Sequence, residues 1–214
     1  MLQQFTKIKI IYAFITALLC WFALVLQLYL IIEIRINTSI SISGGVIKFF
    51  SFFTILSNLL VALSLTAVVF FKNSFFAKTP VISGITAYII IVGIIYSLLL
   101  KELWNPQGLQ LIADIILHEA IPILYFIFWL LFVQKGFLKW KYIFLWLIFP
   151  FFYLIWTFLR GALIGEYPYP FVDVSVNGYQ KVFINSFLMF ILFVIMGTLI
   201  VAIDKLMAKS FLPK

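Results

Sequence analysis

The chain has 214 residues, 65% of them hydrophobic and 10% charged, with a formal net charge of +8 and a mean hydropathy of +1.21. Soluble domains carry about 25% charged residues, so a water-covered globule is excluded, and one Cys and one His exclude a disulfide scaffold or a zinc domain. The basic residues are spread over loop ends with no basic run, so nucleic acid is not an expected partner.

A bilayer-spanning helix needs about 20 mostly apolar residues. Six runs meet this in chain order: 10–32, 49–71, 81–100, 111–133, 142–161 and 183–203. The first has no small-residue cleavage motif and is long for a signal-peptide core, so it is expected to be a retained helix. Polar punctuation at 37–45, 72–80, 101–108, 134–141 and 161–181 separates the runs, with no second composition regime. The expected fold is all-α: a polytopic membrane protein with six transmembrane helices in one bundle, forming a single domain over residues 1–214.

Charge sets the expected orientation. The N-terminus, the second and fourth loops and the C-terminal tail hold Lys7, Lys9, Lys72, Lys78, Lys135, Lys139, Lys141, Lys205, Lys209 and Lys214. The opposite side holds Arg35, Lys48, Lys101, Arg160 and Lys181, and all acids except Asp204. Positive charge is retained inside, which puts both termini in the cytoplasm.

Polarity inside the membrane is where function is sought, because ionisable groups in hydrocarbon cost several kcal/mol. The fourth span carries Asp114, His118 and Glu119. Asp114 and His118 are four apart and share a face, Glu119 points about 100° away, and Pro122 follows one turn later and loosens the backbone. His118 reads equally as a site residue or as a satisfied histidine between helices. The second span carries Ser51, Thr54, Ser57 and Asn58, with 51, 54 and 58 forming one helical stripe at a depth comparable to His118. Membrane helices also use such hydroxyls for packing; Thr16, Thr66, Thr86 and Thr198 read that way, and so does Thr54 on its residue type and position alone. The loop Gly165-Glu166-Tyr167-Pro168-Tyr169-Pro170-Phe171 cannot be helical; it reads as an aromatic interface anchor or as a lid over the bundle. Cys20 is expected to be a packing residue away from the site, and Asn37-Thr38-Ser39 matches a glycosylation acceptor on the outer side.

FFTILSN at 52–58, LHEAIP at 117–122 and RGALIGEYPYPFVD at 160–173 together resemble the six-span androgen-induced-protein family, including its bacterial branch. The resemblance covers essentially the whole chain in span count and motif order. It implies a threonine hydrolase that cleaves fatty acid esters of hydroxy fatty acids, with Thr54 at the nucleophile position and His118 at the general base. The interval between the two is shorter here than in the vertebrate members.

The chemistry is coherent with the residues. A threonine hydroxyl needs an adjacent base, Thr54 is internal and has no terminal amine to help, and histidine is the side chain suited to a neutral-pH base. By triad logic Asp114 is the first candidate to orient the imidazole and Glu119 the second. Asn58, Arg160, Tyr167 and Tyr169 are candidate oxyanion donors. No cofactor and no metal is expected, since one His with scattered carboxylates is not a zinc set. The expected partners are a lipid ester from the bilayer and membrane lipids. The expected location is a bacterial inner membrane with the site toward the outer leaflet. Two other readings stand beside this one: a non-catalytic lipid-binding protein, and a small transporter with an Asp/His/Glu relay. Against the transporter are the absence of an internal repeat and of paired broken helices, and the lack of a polar path across the inner half, to which Gln27 in the first span is the lone exception.

Overall fold

The computed structural model describes residues 2–210, with side chains from 3 to 208. Lys214 and the side chain of Lys209, both counted toward the inner face above, lie outside the described residues. The helices in chain order are α1 (Leu2–Asn37), α2 (Ile42–Phe49), α3 (Phe53–Phe70), α4 (Thr79–Ile95), α5 (Gly108–Ile115), α6 (Ile121–Phe132), α7 (Tyr142–Trp146), α8 (Ile148–Ile164) and α9 (Val174–Ser210). A π turn at Tyr96–Leu100 prolongs α4, and another at Ile116–Ala120 joins α5 to α6. No strand occurs among the described residues.

Among the described residues, six helical stretches are long and apolar enough to cross a membrane: Gln3–Asn37, Phe53–Phe70, Thr79–Leu103, Gly108–Phe132, Tyr142–Ile164 and Val174–Ala208. The protein is an all-α, integral multi-pass membrane protein. Most stretches run past the apolar limits read from the sequence, because backbone hydrogen bonding continues after the side chains turn polar. α1 has 36 residues, roughly 54 Å at about 1.5 Å per residue, and its end residues Gln3, Gln4, Lys7 and Arg35 stay within the helix.

The second run is shorter than its apolar length, and this corrects the polar stripe. Residues 42–49 form a separate helix, Ser51 bonds back through its hydroxyl to the Ile47 carbonyl at 2.7 Å, and Phe52 is extended. Ser51 is therefore in the turn before α3, and only Thr54 and Asn58 of the three lie on that helix. In the sixth helical stretch, before the apolar run itself, Gly178 breaks the helical path at φ 69° and ψ 160°. Glycine has no Cβ to clash at such a φ, so Val174 and its neighbours form a first turn before the long span.

By its internal packing the chain divides into two units, Met1–Phe137 and Leu138–Lys214. In the first, α1 packs on α3, α3 on α4, α4 on α6 and α6 on α1, so four spans close a ring. Lipid is as apolar as leucine, so the ring is held by close packing and by hydrogen bonds rather than by the hydrophobic effect. Val61, Leu65, Ile89, Leu117, Ile121, Tyr125, Phe128 and Trp129 fill its core. Within that core the Tyr125 hydroxyl donates to Ser64 Oγ and the Trp129 indole donates to Ser83 Oγ, each at 2.8 Å. Thr66 accepts from the Trp21 indole at 3.1 Å, and Thr86 bonds back to Ile82 at 2.9 Å. Gln27 is met by Gln110, whose amide donates to it at 2.8 Å.

In the second unit, α7 packs on α8 and α9. The buried carboxylate of Asp204 accepts from the Leu138 backbone N–H at 3.1 Å. Phe151, Phe152, Leu159, Leu163, Phe183 and Phe187 are exposed, as side chains facing lipid are expected to be.

Candidate functional site

The site is built where the third and fourth spans each depart from α-helical geometry. Pro122 lacks an N–H, so the carbonyl of His118 four residues earlier has no intrahelical donor from it. The backbone takes up the mismatch as the π turn Ile116–Ala120. On the facing span the π turn Tyr96–Leu100 follows Gly93. A side chain at Gly93 would meet Pro122 Cβ at 3.2 Å and the His118 carbonyl at 3.4 Å, so the two backbones approach closely there. Single π turns of this kind are often found at functional sites.

Asp114, Tyr96 and His118 meet at these turns. His118 Nδ1 lies 3.0 Å from the Asp114 backbone carbonyl and 3.1 Å from its carboxylate Oδ1. The carbonyl takes the hydrogen bond; Oδ1 faces Nδ1 without hydrogen-bond alignment. Both atoms facing Nδ1 are acceptors, which assigns the proton of the neutral ring to Nδ1 and the lone pair to Nε2. No hydrogen bond to Nε2 occurs among the described residues. The Tyr96 hydroxyl donates to the other carboxylate oxygen of Asp114. Its ring stacks on the imidazole with centroids 4.2 Å apart and planes 13° from parallel. Asp114 is 1% exposed and the His118 side chain 17%, so the carboxylate is sealed and the imidazole keeps an open edge.

Thr54 is buried in the first turn of α3. One turn on, Asn58 Nδ2 donates to the Thr54 carbonyl at 2.9 Å and to the Leu117 carbonyl at 3.1 Å. The turn that carries Thr54 is thereby tied to the residue before His118. Both amide protons of Asn58 are used, so it has none for an oxyanion, and its place among the candidate donors is withdrawn. Cys20, expected to lie away from the site, instead approaches the Asn58 backbone carbonyl at 3.2 Å and backs the same amide.

Glu119 turns away from the imidazole and pairs with Lys101 Nζ at 2.7 Å on a partly exposed edge. Asp114, His118 and Glu119 therefore do not form one chain of contacts. The other candidates belong to the second unit. Arg160 is buried and donates from both terminal nitrogens to Glu166, to its carbonyl and its carboxylate, each at 2.8 Å. The Tyr167 ring occupies the space that a Cβ at Gly161 would fill. Burial first, then the nearby Tyr179 and Asp173, raise the Tyr167 phenol above its ordinary range, so it is neutral at physiological pH. Tyr169 stacks on Phe171 at 5.3 Å. Asn177 donates to the Pro170 carbonyl and Asn185 to that of Phe171, both at 2.7 Å. The segment 165–173 is thus pinned at both ends.

Sequence reasoning missed Tyr96. The available signal was its position: it stands five residues before Lys101, and Asp114 stands six after Gly108, so one loop sets both at similar depth.

No protein family, curated protein or solved structure matches the chain. No group of three or more metal-binding side chains occurs among the described residues.

Proposed function

We propose that the protein is an intramembrane carboxylic ester hydrolase of lipid esters, as the resemblance to the androgen-induced-protein family implies. Its substrate class is the ester of a fatty acid with a hydroxy fatty acid. Thr54 is the nucleophile and His118 the base, in a plasma-membrane protein with both termini inside and the site toward the outer leaflet. The observation that carries this reading is the imidazole. The single histidine of the chain lies within a span, with Nδ1 engaged by Asp114 and Nε2 uncommitted. A general base needs that arrangement. The Asn58 bonds to Thr54 and Leu117 support Thr54 as its partner.

In this mechanism Nε2 takes the Thr54 hydroxyl proton as Oγ1 bonds to the ester carbonyl carbon. The tetrahedral intermediate then breaks its carbon–oxygen bond to the leaving group. The proton passes from Nε2 to the departing alkoxide, which leaves as an alcohol, and the acyl group stays on Thr54. Water attacks the acyl-threonine and gives one proton to Nε2. Collapse releases the carboxylic acid, and the Thr54 hydroxyl recovers its proton from the imidazolium.

The test uses protein purified in mild detergent, a fluorophosphonate probe and a long-chain ester of a hydroxy fatty acid. Wild-type protein is expected to be labelled and to hydrolyse the ester. Thr54→Ala and His118→Ala are expected to do neither, at an unchanged unfolding temperature. Hydrolysis surviving in Thr54→Ala removes the nucleophile assignment, and an inert wild type overturns the reading.

A further inference from the structure

We propose that Tyr96 is the positioning residue of this site, holding the Asp114 carboxylate through its hydroxyl and the His118 imidazole through its ring. The catalytic part of this inference rests on the hydrolase reading; the structural part does not. Asp114 presents two carboxylate oxygens, one toward His118 Nδ1 and the other to the Tyr96 hydroxyl. A carboxylate gripped on one oxygen keeps the plane of the other fixed, and here that second oxygen faces the ring nitrogen. The Tyr96 ring, 4.2 Å from the imidazole and 13° from parallel, blocks rotation of the histidine on that side. One side chain therefore restrains the ring and the carboxylate that faces Nδ1, beside the backbone carbonyl that accepts the Nδ1 proton.

The charged groups around the cluster are few. Asp114 is on α5, and Glu119 with its partner Lys101 lies at the exposed edge. Neither partner of that ion pair has a hydrogen bond to the imidazole. Tyr96 is 4% exposed, so its contacts form away from solvent, where a hydrogen bond is stronger and its loss is not made good by water. The π turn matters here, because it places Tyr96 and the facing π turn of His118 in register for ring-on-ring contact.

Tyr96→Phe keeps the ring and removes the hydroxyl; Tyr96→Leu removes both. The chain has one histidine, so ¹⁵N-labelled imidazole gives a single pair of ring-nitrogen signals that reports the tautomer without any substrate. Wild type is expected to show the Nδ1-protonated form alone. Tyr96→Phe is expected to admit the Nε2-protonated form and, on the ester, to lower kcat about tenfold at unchanged KM, the worth of one buried hydrogen bond. Tyr96→Leu is expected to lose more in both readouts, at an unfolding temperature close to that of Tyr96→Phe. An unchanged tautomer in Tyr96→Phe overturns the proposal, and if that variant hydrolyses the ester like wild type, the hydrolase reading survives it. A tautomer that shifts in Tyr96→Phe while wild type hydrolyses no ester keeps the positioning role and removes the hydrolase reading.

Discussion

Asn58 and Leu117, fifty-nine positions apart, are joined by a side-chain amide that donates to a backbone carbonyl at 3.1 Å within the buried core. The same amide donates to the carbonyl of Thr54, so one residue fixes the spacing between the second span and the π turn of the fourth. Asn58→Leu keeps the branching at Cγ in a larger, apolar side chain and deletes both bonds. In a membrane interior each is worth about 0.6 to 2 kcal/mol. The expected loss is about 2 kcal/mol of stability, read from denaturation in detergent, with hydrolysis falling further than the stability loss predicts. Cys20→Ala, which removes only the weak thiol behind that amide, is expected to cost no more than about 1 kcal/mol.

The two carboxylates of the fourth span separate cleanly. Asp114 is sealed against the imidazole, and Glu119 is paired at the edge with Lys101. Asp114→Asn leaves the backbone acceptor of Nδ1 in place but removes the carboxylate charge that would stabilise the imidazolium, and is expected to lower kcat by at least about a hundredfold. Glu119→Gln breaks an exposed ion pair worth about 0 to 1 kcal/mol and is expected to leave kcat within about twofold. Equal losses in both variants would contradict the assignment of Asp114 as orienter.

Gly93 sets the approach of α4 to α6. An added Cβ stands 3.2 Å from Pro122 Cβ and 3.4 Å from the His118 carbonyl, and a prolyl ring cannot swing aside. Gly93→Val is expected to cost about 1 to 3 kcal/mol, the range for overpacking a tight interior. It is also expected to weaken the Tyr96–His118 stack, visible as a changed histidine ¹⁵N signal.

Gly161 offers a test in the second unit. The Tyr167 ring fills the place of its missing side chain, so Gly161→Ala must expel that ring. The single variant is expected to lose about 1 to 3 kcal/mol. Adding Tyr167→Ala frees the space, and the double variant is expected to be less destabilised than the two single costs added together. Additivity in that cycle would show that the ring is not what the methyl meets.

Asp204 is fully buried and accepts from the Leu138 N–H. Asp204→Ala orphans that donor and is expected to cost about 1 to 3 kcal/mol. Asp204→Asn retains an acceptor and is expected to cost less, as urea or thermal unfolding of the two variants will show.

The membrane class and the six spans followed from sequence because they depend on composition and on run length, which are local. Asp114 and His118 could be paired on one face for the same reason, four residues being about one helical turn. Ser51 could not be excluded from the stripe, because the break at 50–52 falls among four phenylalanines with no Gly or Pro to mark it. The partners of Glu119 and Asn58 were not legible for a related reason: each has several chemically acceptable ones. Lys101 and the carbonyls of Thr54 and Leu117 are chosen only when the chain is folded.

Thus the sequence by itself determined that this chain lives in a membrane, how many times it can cross, and that the fourth span carries an acid–histidine pair. The tertiary structure decided which groups those two touch. Tyr96 belongs to the site because two π turns on separate spans face each other, and the hydrogen bonds and stacking that join them span a sequence separation that no local periodicity encodes.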